Sequence, residues 1–216
     1  MNNISPITQY FISQGVPLDT VILLLMFPII ATLIAFLRQV VGIKAFGIYT
    51  PSIVIFAFLA TGLKYGIAIF VSVILVGMLV RYLLKKLRIL YLPRVAITLS
   101  IVALAILGIL VVGGSQHRTG LAAVSIFPLL IMITIVEKFV AAQIEKGNRT
   151  AFILALETLL ISLGGYYLAK WELLRILIIS FPWIVLLVIL INIFLGKWTG
   201  LRLIEYLRFR EVFKKL

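Results

Sequence analysis

Apolar residues in this chain gather into seven long runs, near 19–37, 46–63, 66–84, 95–113, 121–138, 151–169 and 176–196, separated by short polar gaps. A helix that crosses a bilayer needs about 20 mainly apolar residues. The pattern therefore predicts an all-α protein whose residues 19–196 form seven transmembrane helices packed in one bundle. The gaps are too short to hold a folded loop domain. Ahead of the first run lies a short tail, 1–18. After the last comes a segment, 197–216, in which Leu203, Tyr206, Phe209, Phe213 and Leu216 fall near one helical face and Glu205, Arg208, Glu211 and Lys215 near the other. Such a segment reads as an amphipathic basic helix lying in the membrane plane.

The polar gaps orient the bundle. Arg38 and Lys44 occupy the first gap, and Lys64 alone the second. Arg81, Lys85, Lys86, Arg88 and Arg94 crowd the third, and Arg118 stands alone in the fourth. Lys138, Lys146 and Arg149 mark the fifth, Lys170 and Arg175 the sixth, and six more cations follow the last run. Alternate gaps thus hold 16 and 4 of the 20 basic residues. Cytoplasmic loops carry the excess of Lys and Arg, so the chain is expected to run N-terminus out and C-terminus in, with 1–18 outside and 197–216 in the cytoplasm. The third gap, RYLLKKLRILYLPR (81–94), interleaves its cations with Leu and Tyr, which places it at headgroup level with Tyr82 and Tyr91 as anchors.

Composition narrows the function classes. With 63% hydrophobic and 12% charged residues and a mean hydropathy of +1.24, the chain could not cover a water-soluble surface. A net charge of +13 suits nucleic acid in principle. Its placement follows membrane topology instead, with the positive loops facing anionic headgroups, so no nucleic-acid partner is expected. There is no cysteine, hence no disulfide and no thiolate chemistry. Residues 1–18 lack a basic start and the first run is long, so that run is a retained span and not a cleaved leader.

Several runs carry residues that interrupt helices: Pro28 in the first, Gly47 and Pro51 in the second, Pro128 in the fifth and Pro182 in the seventh. FGIYTPSIVIFAF (46–58) and VSIFPLLIMITIV (124–136) each place a proline early, and each is followed by two further spans. Spans 2–3–4 and 5–6–7 would then be inverted repeats, an arrangement that puts a binding site at their interface.

Seven acidic residues are few enough to weigh singly. Asp19, Glu145, Glu172, Glu205 and Glu211 sit at span ends or in gaps, where solvated or capping roles suffice. Glu157 lies roughly 10 Å inside the sixth span, a depth at which an acid is expected to face the bundle interior, as a buried hydrogen-bonded group or as a substrate or proton site. Glu137 and Lys138 end the fifth span, either as a boundary pair or with Glu137 turned towards Arg94 or Arg149. Asn192 is expected to bond between helices. The lone His117 makes no metal site, and no catalytic motif or cofactor signature is present.

QVVGIKAFGIYTP (39–51), LYLPRVAI (90–97), VSIFPLLIMITIVEKF (124–139) and GKWTGLRLIEYLRFREV (196–212) together resemble a bacterial family of seven-transmembrane domains usually fused to an inactive transglutaminase-like domain. The interrupted spans are also similar, more distantly, to the small membrane subunit of poly-γ-glutamate synthases. The resemblance implies a multi-pass protein of the bacterial cytoplasmic membrane. It further implies an extracytoplasmic transglutaminase-like domain and association with ATP-grasp peptide ligases. With 18 residues ahead of the first span, that domain is absent, cut away or on another chain. The expected role is a non-enzymatic module that binds or passes a peptide-like anionic product, using Arg94, Lys138, Arg149, Glu137 and Glu157. The alternatives are a proton-coupled secondary transporter built on the inverted halves, and a structural or signalling anchor.

Overall fold

The computed structural model describes residues 5–84, 86, 87, 89–115, 126–197, 200 and 203. Among these residues all regular structure is helical: α1 (Pro6–Ser13), α2 (Leu18–Phe36), a π-helical turn (Leu37–Val41), α3 (Tyr49–Thr61), α4 (Leu63–Leu84), α5 (Tyr91–Ser115), α6 (Ile126–Lys146), α7 (Asn148–Lys170), α8 (Glu172–Ser180) and α9 (Ile184–Gly196). Each of the seven apolar runs contains helix among its described residues, the second only from Tyr49 and the seventh with a break at 181–183. Leu18–Val41, α4, Tyr91–Val111 within α5, α6 and α7 are long and apolar enough to cross a membrane. The chain is a multi-pass membrane protein. The expected surface helix beyond Lys197 and the His117–Arg118 loop lie outside the described residues.

Two runs depart from simple spans. The second is shortened to the 13 residues of α3, about 20 Å of helix against about 30 Å of hydrocarbon. The seventh is two helices, α8 and α9, bent by 107°. Prolines and glycines account for both departures. Pro182 lacks the N–H that would continue α8, and the chain turns there. Gly42, Ala45 and Gly47 all hold positive φ (98°, 34° and 78°), so the chain from 42 to 48 cannot be helical and α3 starts only at Tyr49. Three of the five positions expected to break helices do not do so. Pro51 is the third residue of α3 and Pro128 the third described residue of α6, where a missing N–H costs nothing because first-turn amides have no intrahelical partner. Pro28 lies inside an unbroken α2, where a single lost bond is tolerated.

The chain divides into two compact units, residues 1–52 with 163–216, and residues 53–162. This division cuts across the expected halves, since α4, α5 and α6 pack together in one unit.

In the first unit α2 packs against α1, α8 and α9. The break after α8 leaves the Ile179 carbonyl without a helical donor. The N-terminal segment supplies two: the Ser5 amide at 3.2 Å and the Thr8 hydroxyl at 3.0 Å. Thr8 is wholly buried. In α9, Asn192 donates through Nδ2 to Thr32 Oγ1 on α2, the interhelical bond expected from the sequence, and Thr32 in turn donates to the Pro28 carbonyl at 2.9 Å. Asp19 and Arg175 approach to 3.5 Å at the exposed start of α2 and α8, a pair worth under about 1 kcal/mol.

In the second unit, Gly66, Ile69, Phe70, Val73, Ile74, Gly77, Val80 and Leu84 form the buried stripe of α4 at helical spacing. Gly77 lets α6 come close, because a Cβ there would lie 3.0 Å from Val136 Cγ1. Two corners turn on one glycine each. Gly62 (φ 80°) joins α3 to α4, and Gly147 (φ 84°) joins α6 to α7. At the first corner Phe58 and Phe70 meet edge to face at 6.5 Å, with Gly66 beneath.

Two stability predictions follow from these contacts. Thr8→Val should cost about 1 kcal/mol by removing one of the two hydrogen bonds to the Ile179 carbonyl, while Thr8→Ser should cost less; unfolding in micelles measures both. Gly62→Ala and Gly147→Ala should each cost about 1–2 kcal/mol from backbone strain alone, as nothing lies within 4 Å of either added Cβ. Gly66→Ala would clash with Phe58 Cδ1, so its cost should fall when combined with Phe58→Leu, whereas Gly62→Ala gains nothing from that partner.

Candidate functional site

Serine and threonine hydroxyls inside the helices mostly donate to their own backbone four residues back, as Thr98 does to Arg94, Thr158 to Leu154 and Ser162 to Thr158, at 2.7–2.9 Å. In a medium without water these groups are satisfied locally. The polar atoms left over are more informative. Among the described residues, Arg81 Nη1, Arg94 Nε and Gln143 Oε1 are buried without a hydrogen-bond partner.

All three belong to the second unit, at the end where α4 finishes, α5 begins and α6 passes into α7. Arg81 sits in the last turn of α4, where a cation suits the helix dipole. Arg94, in the first turn of α5, folds back so that Nη2 donates to the Ile89 carbonyl at 2.9 Å. Its charge repels that of Arg81. Gln143, near the end of α6, is 1% exposed. Val136, Phe139, Val140 and Gln143 recur at helical spacing on the buried face of α6, so the helix turns the amide inward with its apolar neighbours.

A cleft of about 520 Å³ opens beside these groups. One face of α4 lines it with Leu75, Met78, Leu79 and Tyr82, and Arg81 stands next to them. Gln143 and Asn148 close it from the α6–α7 corner. Cationic and amide groups therefore gather at the helix ends, and an apolar wall leads away along α4. The arrangement can bind an anion. It offers no nucleophile–base pair, and no group of three or more His, Cys, Asp or Glu side chains that could hold a metal occurs among the described residues.

The residues singled out from the sequence spread over this unit. Arg94 is half-buried, near enough to Arg81 for the two charges to repel. Glu137 is half-buried and Lys138 exposed on α6, and Arg149 is exposed at the start of α7. Glu137 forms no ion pair with Arg94 or Arg149. Glu157 is half-buried ten residues into α7, next to the wholly buried Thr158. Arg81 and Gln143 escaped the sequence reading. Arg81 was submerged in the general positive charge of 81–94, and Gln143 resembled a polar boundary residue in AAQIEKG. The helical spacing from Val136 to Gln143 was the available signal.

No curated protein and no solved structure matches the chain. A family model does, over residues 12–213, and it describes seven transmembrane helices usually fused to an inactive transglutaminase. That interval takes in every long apolar helix described above and the four segments whose resemblance pointed to the same family. The chain belongs to this family of seven-transmembrane-helix domains usually fused to an inactive transglutaminase.

Proposed function

We propose that this chain is a non-catalytic membrane module that binds or passes an anionic, peptide-like product, in partnership with an extracytoplasmic transglutaminase-like domain and an ATP-grasp peptide ligase. By the excess of Lys and Arg on one side, the basic end of the second unit faces the cytoplasm of a bacterial cell, where such a ligase would release its product. The observation that carries the reading is the un-neutralised charge of that end. Lys138 and Arg149 are exposed and hold no ion pair among the described residues, and Lys146 is exposed nearby in sequence. A polyanion is the ligand class that such a surface attracts. The similarity of the interrupted spans to the small membrane subunit of poly-γ-glutamate synthases fits an acidic polypeptide.

The test uses the full chain in phosphatidylcholine nanodiscs with a fluorescent oligoglutamate. Binding is expected to weaken as salt rises. Lys138→Gln and Arg149→Gln are expected to weaken it by roughly fivefold each, about 1 kcal/mol. Absence of binding by the unaltered chain would overturn the proposal.

A proton-coupled transporter is the second reading, supported by half-buried Glu157 midway along a spanning helix. Glu157→Gln keeps the side chain's shape and should leave folding intact, while Glu157→Leu should cost about 1–3 kcal/mol by stranding its polar neighbours. Thermal unfolding measures both. If proton-dependent uptake of the peptide into vesicles exists and Glu157→Gln abolishes it in a folded protein, the transporter reading replaces the module.

A further inference from the structure

We propose that the cleft at the end of α4 is a binding site for an acidic phospholipid with a hydroxyl-bearing headgroup, its phosphate on Arg81 and its acyl chain along Leu79, Met78 and Leu75. The site is separate from the exposed cations to which the peptide-like product is assigned above.

The polarity of the cleft has a direction. Leu75, Met78, Leu79 and Tyr82 recur at intervals of three and four residues, so they form one stripe about 10 Å long parallel to the α4 axis. Arg81 and Tyr82 stand at the end of that stripe nearest the helix terminus, and Arg81 lies three residues, about 5 Å, before Leu84. In a spanning helix that is headgroup depth, and Leu75 lies towards the hydrocarbon. An amphiphile oriented like its neighbours in the leaflet has the same sequence of groups: charge at the boundary, chain inward.

The cleft also opens sideways. Leu75, Leu79 and Tyr82 are 55%, 59% and 73% exposed. On a helix long and apolar enough to span the membrane, exposed leucines face acyl chains, so a molecule already in the bilayer enters without crossing water. A water-soluble acidic peptide would have to lie against those leucines, which favours the lipid.

The unsatisfied atoms select the headgroup. Arg81 Nη1 needs an acceptor and Gln143 Oε1 needs a donor, and neither finds one among the described residues. A phosphodiester accepts from Arg81, and the nearby Arg94 charge strengthens the demand for an anion. A phosphate has no proton to give Gln143. A glycerol hydroxyl next to the phosphate does, whereas the quaternary ammonium of a choline headgroup has none and is repelled by both guanidinium groups. Basic pockets between spanning helices on the cytoplasmic side hold anionic headgroups in general; the buried amide beside the cation is what this chain adds.

The experiment measures lipid retained by the full chain, by native mass spectrometry from detergent, with phosphatidylglycerol and phosphatidylcholine of identical acyl chains offered in equal amounts. Phosphatidylglycerol should be retained at least tenfold over phosphatidylcholine. Arg81→Met should bring the ratio to within twofold of one, and Lys86→Gln, which removes an exposed charge outside the cleft, should leave it unchanged. Should Arg81→Met not fold, Leu79→Trp keeps every charge and fills the apolar wall, and it too should bring the ratio to within twofold of one. Equal retention of the two lipids by the unaltered chain, or an equal fall with Lys86→Gln, would refute the site. Competition by inorganic phosphate alone at concentrations similar to the lipid's would make it a free-anion site. Displacement of the lipid by oligoglutamate would assign the cleft to the product. Either result overturns the lipid assignment, and neither depends on whether oligoglutamate binds the exposed cations.

Discussion

A backbone amide or carbonyl that enters hydrocarbon must find its partner within the protein, because no water is there to replace it. Much of this fold follows from that constraint. It explains why Pro51 stands in the first turn of α3, where no intrahelical amide bond is lost. It explains why the break at Pro182 is accompanied by an N-terminal segment whose Ser5 amide and Thr8 hydroxyl converge on the Ile179 carbonyl. The hydroxyls of Thr61, Thr98, Thr158 and Ser162 obey the same rule by turning back on their own helices.

With polar groups satisfied locally, helix association rests on close contact, since lipid is as apolar as leucine. Glycine provides that contact in two ways here. Gly66 and Gly77 remove side chains so that Phe58 and Val136 can approach α4. Gly62 and Gly147 take up positive φ so that a helix can reverse in a single residue. The second effect shapes the site directly. The corner at Gly147 places Gln143, before the turn, and Asn148, after it, on the same cleft, which Arg81 also lines.

Against this background of satisfied groups, the three buried atoms without partners stand out, and all three gather at one helix end. Burying a guanidinium or an amide without a hydrogen bond is costly. Among the described residues, such unpaired buried atoms are confined to that end of the second unit. The basic character of 81–94 was plain in the sequence as a count of charges. Which of those charges would line a cleft was not, because Arg81 shares it with Gln143, some 60 residues further along the chain.

The apolar runs, their helical state and the membrane location could be read from the sequence because each depends on local composition and on the thickness of a bilayer. Family membership could be read from four short segments for the same kind of reason. Helix breaks were half legible. Pro182 and Gly47 act where they stand, but the effect of Pro51 and Pro128 depends on where the surrounding helix starts, which is set by neighbours, and Pro28 is absorbed inside an unbroken α2. Tertiary structure alone decided that 1–18 contains a helix holding a broken one, that α4, α5 and α6 share a unit across the expected halves, and that Gln143 and Arg81 line one cleft. These are contacts between residues far apart in the chain, and their energies depend on distances and directions that no local pattern encodes.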